Sequence, residues 1–390
     1  MMRSIEAVSI PFHRSSVGED EVAAVSEVIR SGWLTMGSKT FEFEEKFASY
    51  VGARHAVCVC SGTAALHLAI ETCGLRPGDE VLIPTTTFTA TGEVISYSGA
   101  RPVLVDIDPV TLNISVADAA RKVTPRTRAI MPVHMAGQPC DLNGIHAIAK
   151  EHGLHTIEDA AHALPSSYGG RRIGNISELT AFSFYATKTL TTGEGGMITT
   201  DSDDRAARMR LMRLHGISGE AWKRYGTNGS WFYEVLEAGF KYNPTDLQAA
   251  IGLVQLFKCD LHSHLRAQIA KRYTSAFDKV RVLEPPTIGT GCETSWHLYI
   301  LRLRLEELRI DRNTFIQKLK QSGIGTSVHF IPLHLHPYYQ RVYGYRRGDF
   351  SIAEKEFERC ISLPIYPSMS NEDIEFVIET VKETAESAQR

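Results

Sequence analysis

Short apolar runs alternate with amphipathic segments along the first two thirds of the chain. Strand-like runs are predicted at 56–60, 80–84, 103–107, 128–133, 155–159 and 181–184, and helices follow from residue 63, near 89–98 and at 142–152. Strands that alternate with helices of this length are typical of a parallel sheet covered by helices on both faces. The sequence therefore predicts an α/β domain.

The pattern changes after Gly239. A long helical stretch is predicted from Pro244 to about Phe277, followed by a strand at 296–303 and helices near 311–321 and 371–386. A chain of 390 residues exceeds the usual size of one domain. We expect a large domain over residues 1–244, including the N-terminal segment, and a smaller α+β domain over residues 245–390. The glycine- and serine-containing stretch at 216–230 is predicted to be a mobile loop.

Composition and charge exclude several classes of protein. The net charge is −3, from 42 basic and 45 acidic residues, so nucleic acid and acidic membranes are not expected partners. The seven cysteines form no Cys-x-x-Cys pair, which argues against a zinc ribbon or a disulfide framework. No run of eighteen apolar residues and no signal-like N-terminus occurs. We expect a cytoplasmic protein with reduced thiols.

Lys188 is the first candidate for chemistry. It follows the strand-like Ala181–Phe184 and precedes the glycine-rich turn Gly193–Gly196, where backbone can approach a ligand closely. A lysine whose ammonium form is disfavoured can form a Schiff base with a carbonyl cofactor. The alternative is an ordinary exposed loop lysine, which is the commoner fate of this residue type.

Asp159 closes the strand predicted at 155–159. Carboxyl ends of strands in open α/β sheets are where ligands bind, and a buried carboxylate there can keep the ring nitrogen of pyridoxal 5′-phosphate (PLP) protonated. Asp159 could also cap the segment that begins at Ala160, and the two roles are compatible.

A third element is the Ser61-Gly62-Thr63 turn, which leads into a helix whose free N–H groups could bind a phosphate, although any capped turn of this type looks similar.

These motifs together carry a family resemblance. The set comprises Ser61-Gly-Thr-Ala-Ala-Leu66, Glu158-Asp-Ala-Ala-His162, Ser183-Phe-Tyr-Ala-Thr-Lys188, Glu194-Gly-Gly196 and Lys241-Tyr-Asn-Pro-Thr-Asp-Leu-Gln-Ala-Ala-Ile251. It resembles the DegT/StrS family of sugar-nucleotide aminotransferases, and the motif sequences are most similar to those of the UDP-4-amino-4-deoxy-arabinose type. The resemblance implies a fold-type I PLP-dependent transferase with a mostly parallel central sheet and a smaller α+β C-terminal domain.

The resemblance also implies roles for individual residues. Lys188 would form the Schiff base (aldimine) with PLP, and Asp159 would pair with the ring nitrogen. The remaining cofactor contacts implied are Gly62, Thr63, Ala64 and Ser183 at the phosphate, His162 near the phenolic oxygen, Phe88 against the ring face, and Asn243 reaching the phosphate from the neighbouring subunit. For Phe88, plain core packing is the alternative. Trp33 and His329 are implied as substrate contacts; an exposed hinge aromatic and a hydrogen-bonded structural histidine are their alternatives.

The histidine-rich segment 328–337 could suggest a metal site built from His329, His334 and His336. Alternating His334 and His336 would point to opposite faces of a strand and no carboxylate accompanies them, so no metal is expected.

The expected function is therefore transfer of an amino group from an amino acid, with glutamate as the expected donor, to a nucleotide-linked keto-sugar at C4, by a homodimer with shared active sites. Two alternatives stay open. One is a PLP enzyme acting only on amino acids, which would devote an arginine such as Arg213 or Arg224 to the substrate carboxylate. The other is a PLP-binding regulatory or sensor protein.

Overall fold

A computed structural model describes residues 10–218 and 232–390 of the chain. The helices in these ranges are α1 (Glu19–Ser31), α2 (Ser38–Val51), α3 (Gly62–Glu71), α4 (Thr89–Tyr97), α5 (Val116–Lys122), α6 (Leu142–His152), α7 (Asp203–Met212), α8 (Asp246–Phe277), α9 (Arg312–Gln321), α10 (Pro337–Tyr343), α11 (Ser351–Arg359) and α12 (Asn371–Ala388).

The strands in the same ranges are β1 (His55–Val59), β2 (Glu80–Pro84), β3 (Arg101–Val105), β4 (Thr127–Ile130), β5 (His155–Asp159), β6 (Ser167–Tyr168), β7 (Arg171–Arg172), β8 (Leu179–Ser183), β9 (Gly196–Thr200), β10 (Leu283–Glu284), β11 (Cys292–Glu293), β12 (Tyr299–Leu303) and β13 (Cys360–Leu363). Most predicted elements of the first 160 residues agree with these bounds to within three residues.

The central sheet has the strand order β1-β9-β8-β5-β4-β2-β3. Every neighbouring pair is parallel except the two that involve β9, which runs antiparallel to both β1 and β8. The prediction of a mostly parallel sheet is confirmed. Because β1, β5 and β8 point the same way, their carboxyl ends meet at one edge of the sheet, and that edge holds the candidate site.

Helices cover both faces of this sheet, because its strands carry apolar residues on both sides. On one face Phe43 and Phe47 of α2 pack against Phe182 and Phe184. On the other face α3 and α4 pack against strand residues such as Val57 and Ile83. The sheet is therefore a rigid platform for the residues that follow its strand ends.

The C-terminal part has its own core around an antiparallel sheet, with the order β10-β12-β13. Tyr273 and Phe277 at the end of α8, Phe315 of α9 and Val377 of α12 pack there, and we call this cluster the C-terminal core. The first half of α8 instead contributes Ala249 and Leu256 to the core that contains α2. The domain boundary at 244/245 stays a prediction.

Two predictions concern residues that the structure does not describe. Most of the loop predicted at 216–230 lies outside the described residues, and so does Arg224. Within residues 10–218 and 232–390, no helix combines the length and the apolar character that a membrane span needs.

Candidate active site

A cavity of about 570 Å³ opens at the sheet edge where β1, β5 and β8 end. The register explains why distant segments meet there: Ser183 lies opposite Gly196, and Gly196 also lies opposite Val59, two residues before Ser61. The predicted site residues that line the cavity are Gly62, Thr63, Phe88, Asp159, His162, Ser183, Lys188 and His329. Trp33, Ala64 and Asn243 are not among its lining residues.

Lys188 lies in the tight turn that follows β8, where its N–H donates to Tyr185 O at 2.9 Å. Its side chain faces the cavity. Burial disfavours the ammonium and lowers the pKa of Lys188 from 10.5 to about 8, although the nearby Asp159 carboxylate acts in the opposite direction. Burial therefore increases the fraction of Lys188 that is a free, nucleophilic amine near neutral pH.

Asp159 ends β5 and is buried. One carboxylate oxygen accepts a hydrogen bond from Thr91 Oγ1 at 2.8 Å and the other accepts from Ala161 N at 3.1 Å. Burial raises the pKa of Asp159 despite these bonds and the influence of Lys188. A buried carboxylate that faces a cavity is suited to a cationic ligand atom, such as a protonated ring nitrogen. The bond from Ala161 shows that Asp159 also orders the turn that follows it.

The first turn of α3 forms a cradle for an anion. Ser61 caps the helix by accepting from Ala64 N at 3.1 Å, whereas the N–H groups of Gly62 and Thr63 precede the first intrahelical donors. A Cβ at Gly62 would come within 2.8 Å of Ser183 Cβ, and one at Gly196 within 2.3 Å of Ser61 O. Both positions need glycine because the backbone is packed so closely around the helix end. Free N–H groups at a helix N-terminus bind phosphates.

His162 faces the cavity beside His297, with 4.4 Å between ring centroids. Burial lowers the pKa of both imidazoles well below 6.5, so both are neutral at physiological pH. The Nδ1 atoms of both rings are buried and have no hydrogen-bond partner in the described chain. Such orphaned atoms indicate that a ligand completes the site. His297 was not among the predicted site residues, because it lies within the apolar stretch predicted as a strand at 296–303, which gives no sign of a ligand contact; in the structure that strand begins at Tyr299.

Phe88 and His329 lie on the outer side of the cavity. Phe88 is 57% exposed, so core packing does not explain it, and its ring lies 6.0 Å from that of Phe330. His329 accepts or donates a hydrogen bond with Ser362 Oγ at 2.8 Å, and burial together with Lys188 lowers its pKa to about 4. His329 thus has a structural bond and also faces the cavity.

His334 is a structural residue, and its segment is not a strand. Leu333–Leu335 is a turn of 3₁₀ helix, in which His334 bonds Thr85 Oγ1 at 2.8 Å and Glu354 at 2.9 Å. In the described ranges, no group of three or more histidine, cysteine or acidic side chains is arranged to hold a metal ion.

Trp33 and Asn243 belong to two segments that touch each other outside the cavity. Thr35 pairs with Thr245 across an isolated bridge, and Gly37 N–H donates to Asp246 at 2.8 Å. Trp33 Nε1 donates to Met36 O at 3.2 Å, and Asn243 Nδ2 donates to Pro244 O at 3.1 Å.

Arg213, considered as a carboxylate-binding residue, does not reach the cavity. Its guanidinium is buried, forms an ion pair with Glu44 and donates to Cys58 O at 2.9 Å. Arg213 therefore ties α2 to β1, and the interpretation as a substrate contact is wrong. Sequence could not show this because Glu44 lies 169 residues away along the chain.

The lowered pKa of Lys188 gives a testable pH dependence. Since only the neutral amine attacks a carbonyl, the rate at which the apoprotein captures PLP should rise about tenfold per pH unit up to about pH 8 and level off above it. Stopped-flow absorbance at fixed PLP concentration measures this rate. A rate that keeps rising to pH 10, as for an exposed lysine, would contradict the burial of the amine.

The residues present fit PLP. An amine, a buried carboxylate without an ion-pair partner in the described chain, a helix N-terminus and two orphaned imidazole nitrogens converge on one cavity. These are groups suited to the aldehyde, the ring nitrogen, the phosphate and the ring oxygen of this cofactor. The cavity is also large enough to admit a second molecule beside it.

Comparison with known proteins agrees with this geometry. The model of the DegT/DnrJ/EryC1/StrS aminotransferase family matches residues 15–382. The chain is 48% identical over 380 residues to the spore coat polysaccharide biosynthesis protein SpsC of Bacillus subtilis, covering 97% of this chain and 98% of SpsC.

Solved structures are similar over almost the whole chain. The sugar aminotransferase Spr1654 of Streptococcus pneumoniae, solved in PMP and PLP forms, superposes with a TM-score of 0.91 at 34% identity, covering 97% of this chain and 99% of that one. PseC of Helicobacter pylori, an aminotransferase involved in pseudoaminic acid biosynthesis, gives a TM-score of 0.91 at 26% identity, covering 97% and 100%. The chain belongs to the DegT/DnrJ/EryC1/StrS aminotransferase family and is a PLP-dependent sugar aminotransferase of fold type I.

Proposed function

We propose that this enzyme moves an amino group from glutamate to C4 of a nucleotide-linked keto-sugar, with Lys188 and Asp159 as its catalytic residues. The observation that carries the proposal is the position of the Lys188 amine and the Asp159 carboxylate in one cavity, beside the free N–H groups at the start of α3. The same cavity also contains His162 and His329.

Each residue has a separate task. PLP, when bound, supplies a carbonyl for a primary amine and a ring that accepts an electron pair. Asp159 holds a positive charge at the ring nitrogen, and Gly62, Thr63 and Ser183 hold the phosphate. Lys188 Nζ, as the neutral amine, would remove a proton from the donor's Cα, and its ammonium form would later deliver a proton to the sugar carbon, because a pKa of about 8 makes both forms accessible near neutral pH. His162 orients the ring as a neutral hydrogen-bonding group.

A homodimer that shares its active sites is part of the proposal. Phe88 and Tyr185 line the cavity yet are 57% and 46% exposed in one chain, so a second subunit could cover them. Trp33 and Asn243 do not line the cavity of their own chain, and their segments lie against each other. We propose that they complete the site of the partner subunit. The cytoplasmic location stays a prediction.

Glutamate and the C4 position come from the family resemblance, and SpsC supports a role in making an amino-sugar for a surface polysaccharide. Incubation with glutamate and UDP-linked 4-keto- and 3-keto-sugars, followed by NMR of the products, tests the regiochemistry. The expected product carries the new C–N bond at C4. Amination of the 3-keto-sugar alone would contradict the assignment to C4 while leaving the aminotransferase activity intact.

A further inference from the structure

The segment 10–16, which we call the N-terminal strap, is fixed at both ends. Ile10 is buried in the C-terminal core, where its N–H donates to Gly323 O at 2.9 Å and its carbonyl accepts from Gly325 N at 2.8 Å. At the other end, Ser16 O accepts from Gln255 Nε2 of α8 at 2.8 Å. The strap is therefore attached at one end to the C-terminal core and at the other end to α8.

The middle of the strap binds the turn that carries Lys188. His13 Nε2 lies 3.1 Å and Ser15 Oγ 2.8 Å from the same acceptor, the carbonyl oxygen of Ala186. Burial and the nearby Arg266 lower the pKa of His13 to about 4, so its ring is neutral, and donation to a carbonyl places the proton on Nε2. Two donors thus converge on a carbonyl two residues before Lys188.

The strap also forms part of the cavity wall. Phe12 and His13 both line the cavity, and the Phe12 ring stacks on His329 with 5.5 Å between centroids. Gly325 allows this course, because a Cβ there would lie 2.7 Å from Phe12 N. The close approach keeps Phe12 against His329 instead of in solvent.

We propose that the N-terminal strap is a wall of the active site, in which His13 and Ser15 are positioning residues that hold the Lys188 turn. Both hydrogen bonds restrain the Ala186–Thr187 peptide, which belongs to the turn that carries Lys188. Without them, we expect the amine to sample positions with more water around it, where it is protonated at a higher pH. The inference rests on the proposed role of Lys188 and extends it to a segment of the chain that the sequence analysis did not assign.

The other histidines around Lys188 do not titrate in the same pH range as its amine. The titratable side chains that line the cavity with it are Asp159, His162, Tyr185, Glu194, His297 and His329. Burial lowers the pKa of all three of these histidines. The imidazoles therefore remain neutral over the pH range in which Lys188 titrates, and a shift in that titration reports on Lys188 itself.

The test compares His13→Leu with His13→Gln, each combined with Ser15→Ala. Glutamine can place an amide N–H near the position of His13 Nε2, whereas leucine cannot donate. Apoprotein is mixed with PLP at several pH values, reduced with borohydride, and digested so that mass spectrometry measures the label on Lys188. Ser98→Ala is the control, because Ser98 Oγ also donates to a backbone carbonyl, that of Ile95, but does so at the C-terminal end of α4 and does not line the cavity.

In the leucine variant we expect about tenfold less label on Lys188 at pH 7 and a pH midpoint about one unit higher than in wild type. The glutamine variant should retain label within about threefold of wild type, and Ser98→Ala should match wild type. Wild-type labelling and midpoint in the leucine variant would overturn the proposal, as would an equal loss in both His13 variants.

The experiment also distinguishes a variant that does not fold from a wrong assignment of Lys188. If the leucine variant fails to fold, as its melting curve would show, Ser15→Ala alone and His13→Gln alone take its place. The proposal then predicts a measurable rise in midpoint for Ser15→Ala, and an unchanged midpoint overturns it. If the wild-type protein carries its label on a different lysine, the proposed role of Lys188 fails, and the role of the strap fails with it.

Discussion

Replacing Lys188 by alanine should lower kcat for amino transfer by about 10³-fold or more, because a positioned general base contributes about 10²–10⁴-fold and the covalent attachment of the cofactor is lost as well. The loss should appear in both half-reactions, since the same Nζ serves the donor and the sugar. Single-turnover absorbance, first with glutamate and then with a keto-sugar nucleotide, measures each step.

The Lys188→Ala variant should be as stable as wild type. Burial lowers the pKa of Lys188, which means that folding disfavours its charged form, and this cost is present below the pKa of the unfolded lysine. Removing the amine removes that cost, so the free energy of unfolding of the apoprotein should not fall. Lys46→Ala, which removes an exposed lysine paired with Glu42, is the matched control and should retain full activity. A Lys188→Ala variant that keeps wild-type kcat would contradict the assignment.

Replacing Asp159 by asparagine should lower kcat by about 10²–10³-fold, the usual cost of removing a preorganised electrostatic group. Asparagine is nearly isosteric and can still accept from Ala161 N with its oxygen, while its amide nitrogen can donate to Thr91 Oγ1. Thr91 Oγ1 can then donate to Thr87 Oγ1, which lies 2.7 Å away. The geometry of the apoprotein should therefore survive, and only the charge opposite the ring nitrogen is lost.

The melting temperature of the Asp159→Asn variant distinguishes an electrostatic role of Asp159 from a structural one. Burial raises the pKa of Asp159, so the ionised carboxylate destabilises the folded apoprotein at any pH above the pKa of the unfolded aspartate. Asp159→Asn should consequently melt at the same temperature or higher in the apo form, yet react slowly once loaded with PLP. Thermal melting and single-turnover kinetics of one preparation give both values. A lower melting temperature with a proportionate loss of activity would indicate that Asp159 acts mainly through the fold.

Sequence alone predicted the elements that position the chemistry. Asp159 could be placed because five consecutive residues of β5 carry a strand pattern that ends at a carboxylate, and the Ser61 cap identifies the start of α3 in the same local way. The strand and the glycine-rich turn make Lys188 a candidate, and the family resemblance implies its role. These are signals within about ten residues, where propensity and capping operate.

The rest depends on contacts between distant segments. His13 meets Ala186 across 173 residues, and His297, in the segment before β12, meets His162 from a distant part of the chain, so neither has a local signal. β9 runs antiparallel to both of its neighbours, since the β8–β9 connection contains no crossover helix that could return the chain in the parallel direction. By contrast, α1 and α2 were not predicted, although a glycine that ends a helix can be recognised in a sequence. Gly32 and Gly52 end these two helices in the left-handed conformation.

The most direct test of the central claim is one spectroscopic experiment on PLP-loaded wild-type protein. Glutamate is added first and the excess removed; a UDP-linked 4-keto-sugar is then added, and the visible spectrum is recorded at each stage. We expect glutamate to abolish the absorption of the lysine-bound cofactor and the keto-sugar to restore it, with one amino-sugar formed per site. The contrary result would be that 2-oxoglutarate restores the absorption of the lysine-bound cofactor whereas no nucleotide-linked keto-sugar does. That result would contradict the proposal that the enzyme aminates such a sugar.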